Sequence, residues 1–267
     1  QVLFVLLGNG RNGKSVFLDI INEVFGNYAT NIRPQAIMAN NQKSDASPEI
    51  AKLDGARFVT TTEPNEGDRF DEGLIKQLTG GDKVTARKLY ENEFEFVPQL
   101  KLWMATNHKP YVRGTDEGIW RRFVIIPFDK QIPLKEVDRD LTNKLKKELP
   151  AIMKWCVEGY LEWQKIGLAE PQSVKAQRDE YRTEMDSTEL FLRDVCEMGE
   201  TKFIRTSHLY KAYDIWARDN HQYRMSSRKF RNEMEKKFSV KKSSHEYYQG
   251  VQVEDEDYKP GFTIRNY

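Results

Sequence analysis

The chain has 267 residues, 39% hydrophobic and 12% aromatic, enough for one large α/β core and a smaller second domain. Its 42 Lys and Arg nearly cancel 41 Asp and Glu, which excludes a uniformly basic nucleic-acid binder and leaves only local clusters. Cys156 and Cys196 lack a CxxC pattern or a nearby histidine, so zinc and disulfide frameworks are disfavoured and a reducing cytoplasmic setting fits; the longest apolar run, Val2–Leu7, is too short for a membrane span.

That run reads as a buried strand, and the amphipathic segment from Val16 to Ile21 reads as a helix. Between them lie Gly8, Asn9, Gly10, Arg11, Asn12, Gly13, Lys14 and Ser15, the spacing of a P-loop in its expected strand–helix context. Backbone N–H groups of residues 8–16, through Val16, can surround phosphate oxygens at a helix N-terminus. Lys14 can reach the β- and γ-phosphates, and Ser15 can give a hydroxyl to Mg²⁺. The pattern implies a nucleoside triphosphate with Mg²⁺ and does not say what hydrolysis drives. A glycine-rich turn is the bland alternative. The first strand begins almost at Gln1, so the sequence reads as part of a longer polypeptide lacking its N-terminal region.

Asn27 to Ser47 reads as a long polar loop with one short helix, broken at Pro34 and Pro48. Ala56 to Thr62 is a β-branched strand ending on Glu63. A carboxylate there suits water-mediated Mg²⁺ binding or orientation of an attacking water, against the alternative of a solvated strand end. Glu66 is a weaker second choice. Asp71–Leu78 reads as a short helix, and Lys83–Leu89 with Glu93–Pro98 as a hairpin. Arg87, Lys88 and Tyr90 near its turn combine charge and an aromatic ring suited to single-stranded DNA, although a solvated tip would look similar. Leu100–Thr106 is a further strand, ending on Asn107, which can hold the lytic water or the γ-phosphate. Arg121 and Arg122 precede the strand Phe123–Phe128 and suggest an arginine finger beside a nucleotide site.

Five segments in this order resemble the superfamily 3 helicase core of the phage and plasmid primase-helicase family, related to poxvirus-type primase-helicases: GNGRNGKS, FVTTTEP, LIKQLTGGDKVTARKLY, KLWMATNHKP and GTDEGIWRRFVIIPF. The resemblance covers residues 2 to about 130. It implies an AAA+-like fold, ATP and Mg²⁺ as cofactors, and rings, usually hexamers, that move 3′ to 5′ on single-stranded DNA. It assigns Lys14 and Ser15 to Walker A, Glu63 to Walker B and Asn107 to sensor 1. Arg122 matches a trans-acting finger, with Arg121 as fallback, and Lys76 matches a basic residue facing the neighbour's nucleotide. Arg87, Lys88 and Tyr90 fall in the DNA-tracking hairpin. Thr62 replaces one of the two acids common in related ATPases, which leaves the division of labour at Glu63 open.

Residues 131–186 read as a helical connector (Lys135–Leu149, Ala151–Ile166, Gln172–Met185), with Ile152, Trp155, Cys156, Tyr160 and Trp163 as core. Residues 187–267 read as a separate winged-helix domain: helices Glu189–Met198, Thr206–Asn220 and Ser226–Phe238, the last two capped by Thr or Ser, then strands Ser239–Ser243 and Tyr247–Val253. From His221 to His245 eight basic residues face two Glu, a local +6, which makes Arg228, Lys229, Arg231, Lys241 and Lys242 candidate DNA contacts; a solvated face or protein-docking module competes. The reading is thus an α/β chain of three parts, an AAA+-like P-loop NTPase core over 1–130, the connector, and the winged helix. Its expected activity is that of an ATP-dependent DNA helicase from a phage, plasmid or mobile element, acting on single-stranded and forked DNA and self-associating into a ring, with a primase as the candidate for the missing N-terminal region. The alternatives are a non-unwinding DNA-binding ATPase, such as an origin initiator or loader, and a small-molecule P-loop kinase.

Overall fold

A computed structural model describes residues 1–39, 48–114, 116–220, 222–255 and 258. It divides the chain into two compact units, Gln1–Arg182 and Thr183–Tyr267.

The first unit is built on a five-stranded sheet. After β1 (Leu3–Leu7) come α1 (Lys14–Phe25), β2 (Ala29–Ile32), the short α2 (Pro48–Ala51), β3 (Phe58–Thr61) and α3 (Glu72–Gly80). A hairpin of β4 (Val84–Arg87) and β5 (Glu93–Phe96) precedes β6 (Lys101–Thr106), α4 (Glu117–Trp120) and β7 (Phe123–Pro127). The sheet order is β2-β3-β6-β1-β7, and every pairing is parallel. Near-continuous apolar strands such as LFVLL and FVIIP suit a parallel sheet covered on both faces. Phe4 and Leu6 point to one face, where Phe4 stacks on Trp103 at 4.1 Å between ring centres and Leu6 meets Leu18, Ile21 and Phe58. On the other face, Phe123 contacts Phe70, Trp120 and Tyr181. Asp71 caps α3 by accepting from the Leu74 N–H, so that helix begins where an Asx cap allows it.

β2 falls inside the stretch expected to be a loop. Its sequence ATNI is short and polar, as an edge strand tolerates, and pairing with β3 supplies the order that its own propensity lacks. The short helix expected in that stretch is a single turn at Pro34–Ala36, and residues 40–47 lie outside the described residues.

Three helices follow: α5 (Leu141–Lys146), α6 (Leu149–Ile166) and α7 (Gln172–Met185). The expectation that α6 contributes only core residues needs correction. Ile152 and Cys156 pack on the sheet cluster, whereas Trp155, Tyr160 and Trp163 are all more than half exposed.

The second unit contains α8 (Ser187–Val195), β8 (Cys196–Arg205), α9 (Thr206–Asp219), α10 (Ser227–Lys237), β9 (Val240–Lys242) and β10 (Glu246–Val253). The first helix ends earlier than its expected limit at Met198, because Cys196 to Met198 already pair with β10 in a three-stranded antiparallel sheet of order β8-β10-β9. A bulge between Gln249 and Val251 is accommodated by Gly250 at φ 99°. Phe191, Tyr213, Trp216 and Phe230 form the aromatic core, with Tyr213 and Phe230 stacked at 4.5 Å. Ser226 caps α10 by accepting from Lys229 N–H, as its position predicts. Thr206 does not cap α9; it is the first helical residue and Arg205 holds the cap position.

Candidate functional site

β1 delivers the chain into a turn that only glycine can make. A Cβ at Gly8 would stand 2.3 Å from the Phe128 carbonyl oxygen, and Gly10 and Gly13 have φ of 71° and 86°. Arg11 also takes a left-handed conformation, φ 47°, without glycine's freedom. The turn is braced from one side: Asn12 Nδ2 donates to Phe128 O at 2.8 Å, Ile132 N to Arg11 O at 2.7 Å, and Gln131 Nε2 to Asn9 O at 2.9 Å. Gly13 then opens α1, whose first turn has no acidic residue, so its N–H groups and dipole present an uncompensated positive end.

Lys14 is 6% exposed. Its ammonium donates to Gly8 O, to Asn12 Oδ1 at 3.2 Å and to Asn107 Oδ1 at 3.1 Å. Burial lowers the Lys14 pKa, and the charge of Glu63 works in the opposite direction. Glu63 lies just past β3 and is gripped twice by Asn107 at the end of β6: the backbone N–H reaches Oε1 and the side-chain Nδ2 reaches Oε2, both at 3.0 Å. Lys14, Asn107 and Glu63 therefore form one hydrogen-bonded chain across the carboxyl ends of β1, β6 and β3, three adjacent parallel strands. That edge is where open α/β sheets bind ligands. Ser15, exposed at the start of α1, completes the donor set. An ammonium, a hydroxyl, a carboxylate and a free helix N-terminus fit a Mg²⁺-bound polyphosphate chemically.

Two neighbours escaped sequence reasoning. His108 Nε2 stands 3.8 Å from Glu63 Oε1, and only its place next to Asn107 could have flagged it. Thr61, the last residue of β3, is 1% exposed, and its Oγ1 has no partner among the described residues. Thr61 lines a groove of about 730 Å³ together with Ser15, Asp19, Asn22 and Thr60. Glu66, the second-choice acid, is exposed. Among the described residues no three His, Cys, Asp or Glu are grouped to hold a metal unaided, and no helix is long and apolar enough to cross a membrane.

The sequence comparisons agree on kinship. Residues 6–122 match the profile of a family of unknown function, DUF5906, and residues 183–265 match the profile "Poxvirus D5 protein-like". Over 248 residues the chain is 32% identical to "Putative helicase L207/L206" of Acanthamoeba polyphaga mimivirus, covering 83% of this chain and 25% of that protein. By these matches the chain is similar to a poxvirus D5-like profile and to a viral protein described as a helicase. A second relative, "Putative helicase 022R" of Frog virus 3, is 25% identical over 244 residues, covering 82% of this chain and 25% of that protein. "Putative primase C962R" of African swine fever virus is 24% identical over 123 residues, 45% of this chain and 13% of that one. The chain thus spans about a quarter of the length of the first two relatives. The solved structure "The A form apo structure of NrS-1 C terminal region-CTR" shares the fold, with a TM-score of 0.52, 14% identity, and coverage of 94% of this chain and 67% of that one.

The remaining candidate residues lie away from that edge. Arg122 is 8% exposed; its guanidinium donates to Gly118 O and, through Nε, to Thr79 Oγ1 at 3.0 Å. Arg121 is exposed and donates to Gln1 Oε1 at 3.3 Å. Lys76 is paired with Asp116 at 3.0 and 3.1 Å. The hairpin places Arg87 opposite Glu93 and leaves Tyr90 fully exposed at φ 63°, while Lys88 lies over the Phe94 ring at 5.8 Å.

In the second unit, the local +6 is largely answered by acids from elsewhere in that unit. Arg224 forks onto Asp214 at 2.8–2.9 Å, Arg231 bridges Glu235 at 2.6 Å and Glu246 at 2.8 Å, and Lys237 pairs with Glu189. Lys236 pairs with Glu233 and Lys242 with Glu246. The hydrogen bond from Arg231 holds the Glu246 carboxyl below its usual range. Lys229 and Lys241 lie over Tyr223 and Phe203. Arg228 is exposed on the first turn of α10.

Proposed function

We propose that the chain is the motor part of a primase-helicase: an ATP-dependent DNA helicase or translocase serving replication of a virus or mobile element. The observation that carries the reading is the Lys14–Asn107–Glu63 chain at the edge of three adjacent parallel strands, beside the N-terminus of α1. On this reading the loop from Gly8 to Ser15 is a P-loop, and the sheet unit an AAA+-like ATPase. Lys14 would neutralise β- and γ-phosphate charge, and Ser15 with Glu63 would hold Mg²⁺, whose chemistry there would be charge neutralisation of the phosphoryl group. Glu63, positioned by Asn107, also orients the attacking water. Arg121, exposed, supplies the finger to a neighbouring subunit, and Arg122 braces it from within its own. Lys76 serves the neighbour only by releasing Asp116. The hairpin residues Arg87, Lys88 and Tyr90 contact single-stranded DNA. The helix pair α9–α10 followed by the β9–β10 hairpin supports the winged-helix reading, with Arg228, Lys229, Arg231, Lys241 and Lys242 as its DNA-facing set.

The test combines DNA-stimulated ATPase measurements with displacement on forks tailed at the 3′ or the 5′ end. Lys14→Ala and Glu63→Gln are each expected to lower turnover at least about 100-fold. Displacement of a 3′-tailed fork supports a helicase. Hydrolysis with DNA binding and no displacement on either fork selects the non-unwinding switch, and a wild-type chain that neither binds nor hydrolyses ATP overturns the proposal.

A further inference from the structure

Helix α6 is clothed on the wrong side for a helix standing in water. Its four charged residues, Lys154, Glu158, Glu162 and Lys165, fall within an arc of about 80° at roughly 100° per residue, so nearly all the rest of its circumference is apolar. No residue of α6 is buried. Ile152 and Cys156 rest on the sheet cluster, but Trp155 is 61% exposed, Tyr160 54%, Trp163 51% and Ile166 62%; Met153 and Leu161 are also exposed. A helix apolar almost all round is ordinarily enclosed.

Gly159 adds an independent observation. It interrupts the i, i+4 row Trp155–Gly159–Trp163 in the middle of the helix, where glycine is among the least favourable residues. A Cβ built there would meet nothing within 4 Å. Its own chain therefore does not require the glycine. It leaves a notch between two exposed tryptophans, the shape that lets a foreign side chain or backbone approach closely.

We infer that α6, notched at Gly159, is the surface by which a second copy of this chain packs against the first. Taking about 200 Å² for a large apolar side chain, half-exposure of the six residues named leaves on the order of 600 Å², near the ~800 Å² that each partner gives to a standard interface. Its tryptophans, tyrosine and methionine match the composition of interface centres, from which charge is depleted. The charged edge carries two lysines and two glutamates, net zero, which suits neither a phosphate backbone nor an anionic bilayer. A protein partner is left, and the inference rests on the proposed reading that an exposed arginine completes a neighbour's nucleotide site, which itself demands a second copy.

Light scattering coupled to size exclusion, on the intact chain with an ATP analogue and single-stranded DNA, tests this. Trp163→Glu and Gly159→Leu are each expected to raise the concentration of half-assembly at least tenfold while leaving the far-ultraviolet spectrum unchanged. Gly159→Ala in the dilute monomer is expected to melt at the same temperature or higher. Assembly of both variants at the wild-type concentration overturns the role of α6 and leaves subunit sharing intact. A wild-type chain that stays monomeric under every condition overturns both. A dilute wild-type monomer whose melting temperature drops on Trp163→Glu shows α6 covered from within its own chain, which also overturns the inference.

Discussion

Thr61 and Arg122 are buried polar residues with opposite fortunes. The Thr61 hydroxyl lacks a partner among the described residues, and leaving such a group unmade costs about 1–3 kcal/mol. Thr61→Val is therefore expected to raise the stability of the nucleotide-free protein by ~1 kcal/mol in a denaturant melt; a loss of that size would show the hydroxyl engaged. Arg122 donates from inside the fold to Thr79 and Gly118, so Arg122→Ala should destabilise the chain by about 1–3 kcal/mol. Arg121→Ala should leave the melt unchanged while abolishing DNA-stimulated hydrolysis by the assembled protein. Equal losses of stability for both would remove the distinction between brace and finger. The sequence shows two adjacent arginines before a strand. Which of them turns inward depends on Thr79, 43 residues away, and no local pattern encodes it.

At the scale of elements, the hairpin offers the sharpest test. Tyr90 holds a left-handed backbone, which costs a non-glycine residue about 1–2 kcal/mol, and its ring touches solvent on all sides. Tyr90→Gly is expected to stabilise the fold by ~1 kcal/mol and to weaken single-stranded DNA binding by about 1–3 kcal/mol, as lost stacking does; fluorescence anisotropy reads the second effect. A variant that binds as tightly as wild type would make the tip a solvated turn. Elements whose own residues carry the signal were legible: β1, α1, β6 and the hairpin follow from apolar runs, glycine spacing and β-branching. Two were not. β2 is a four-residue polar edge that exists because β3 lies beside it, and β8 opens with CEMGET, whose pattern is broken by Gly199 and is set by pairing with β10. The convergence of Lys14, Asn107 and Glu63 was readable because Asn107 and Glu63 follow the ends of strands that announce themselves and Lys14 opens the helix after the glycine-rich turn that follows a third. The exposure of α6 was not, since amphipathic spacing reveals an apolar face and not what covers it.

Across the whole molecule, charge is better balanced in space than in sequence. Among the described residues, at least five of the eight basic residues between His221 and His245 hold ion pairs, mostly with acids outside that segment. Because each phosphate neutralised contributes about 0.9 to the salt slope, duplex binding through this unit with the pairs intact should give a log–log slope below about 4. A slope near 7 would show that the pairs break to release their cations. The sheet unit holds a tighter economy. An ammonium has three protons, and Lys14 spends them on Gly8, Asn12 and Asn107; the amide that takes the third also holds Glu63. A fourth acceptor can enter only by evicting one of these oxygens. Because the middle member of the chain has a hand on both ends, Lys14 and Glu63 are not two independent charges facing a ligand but the two pans of one balance, pivoting on Asn107.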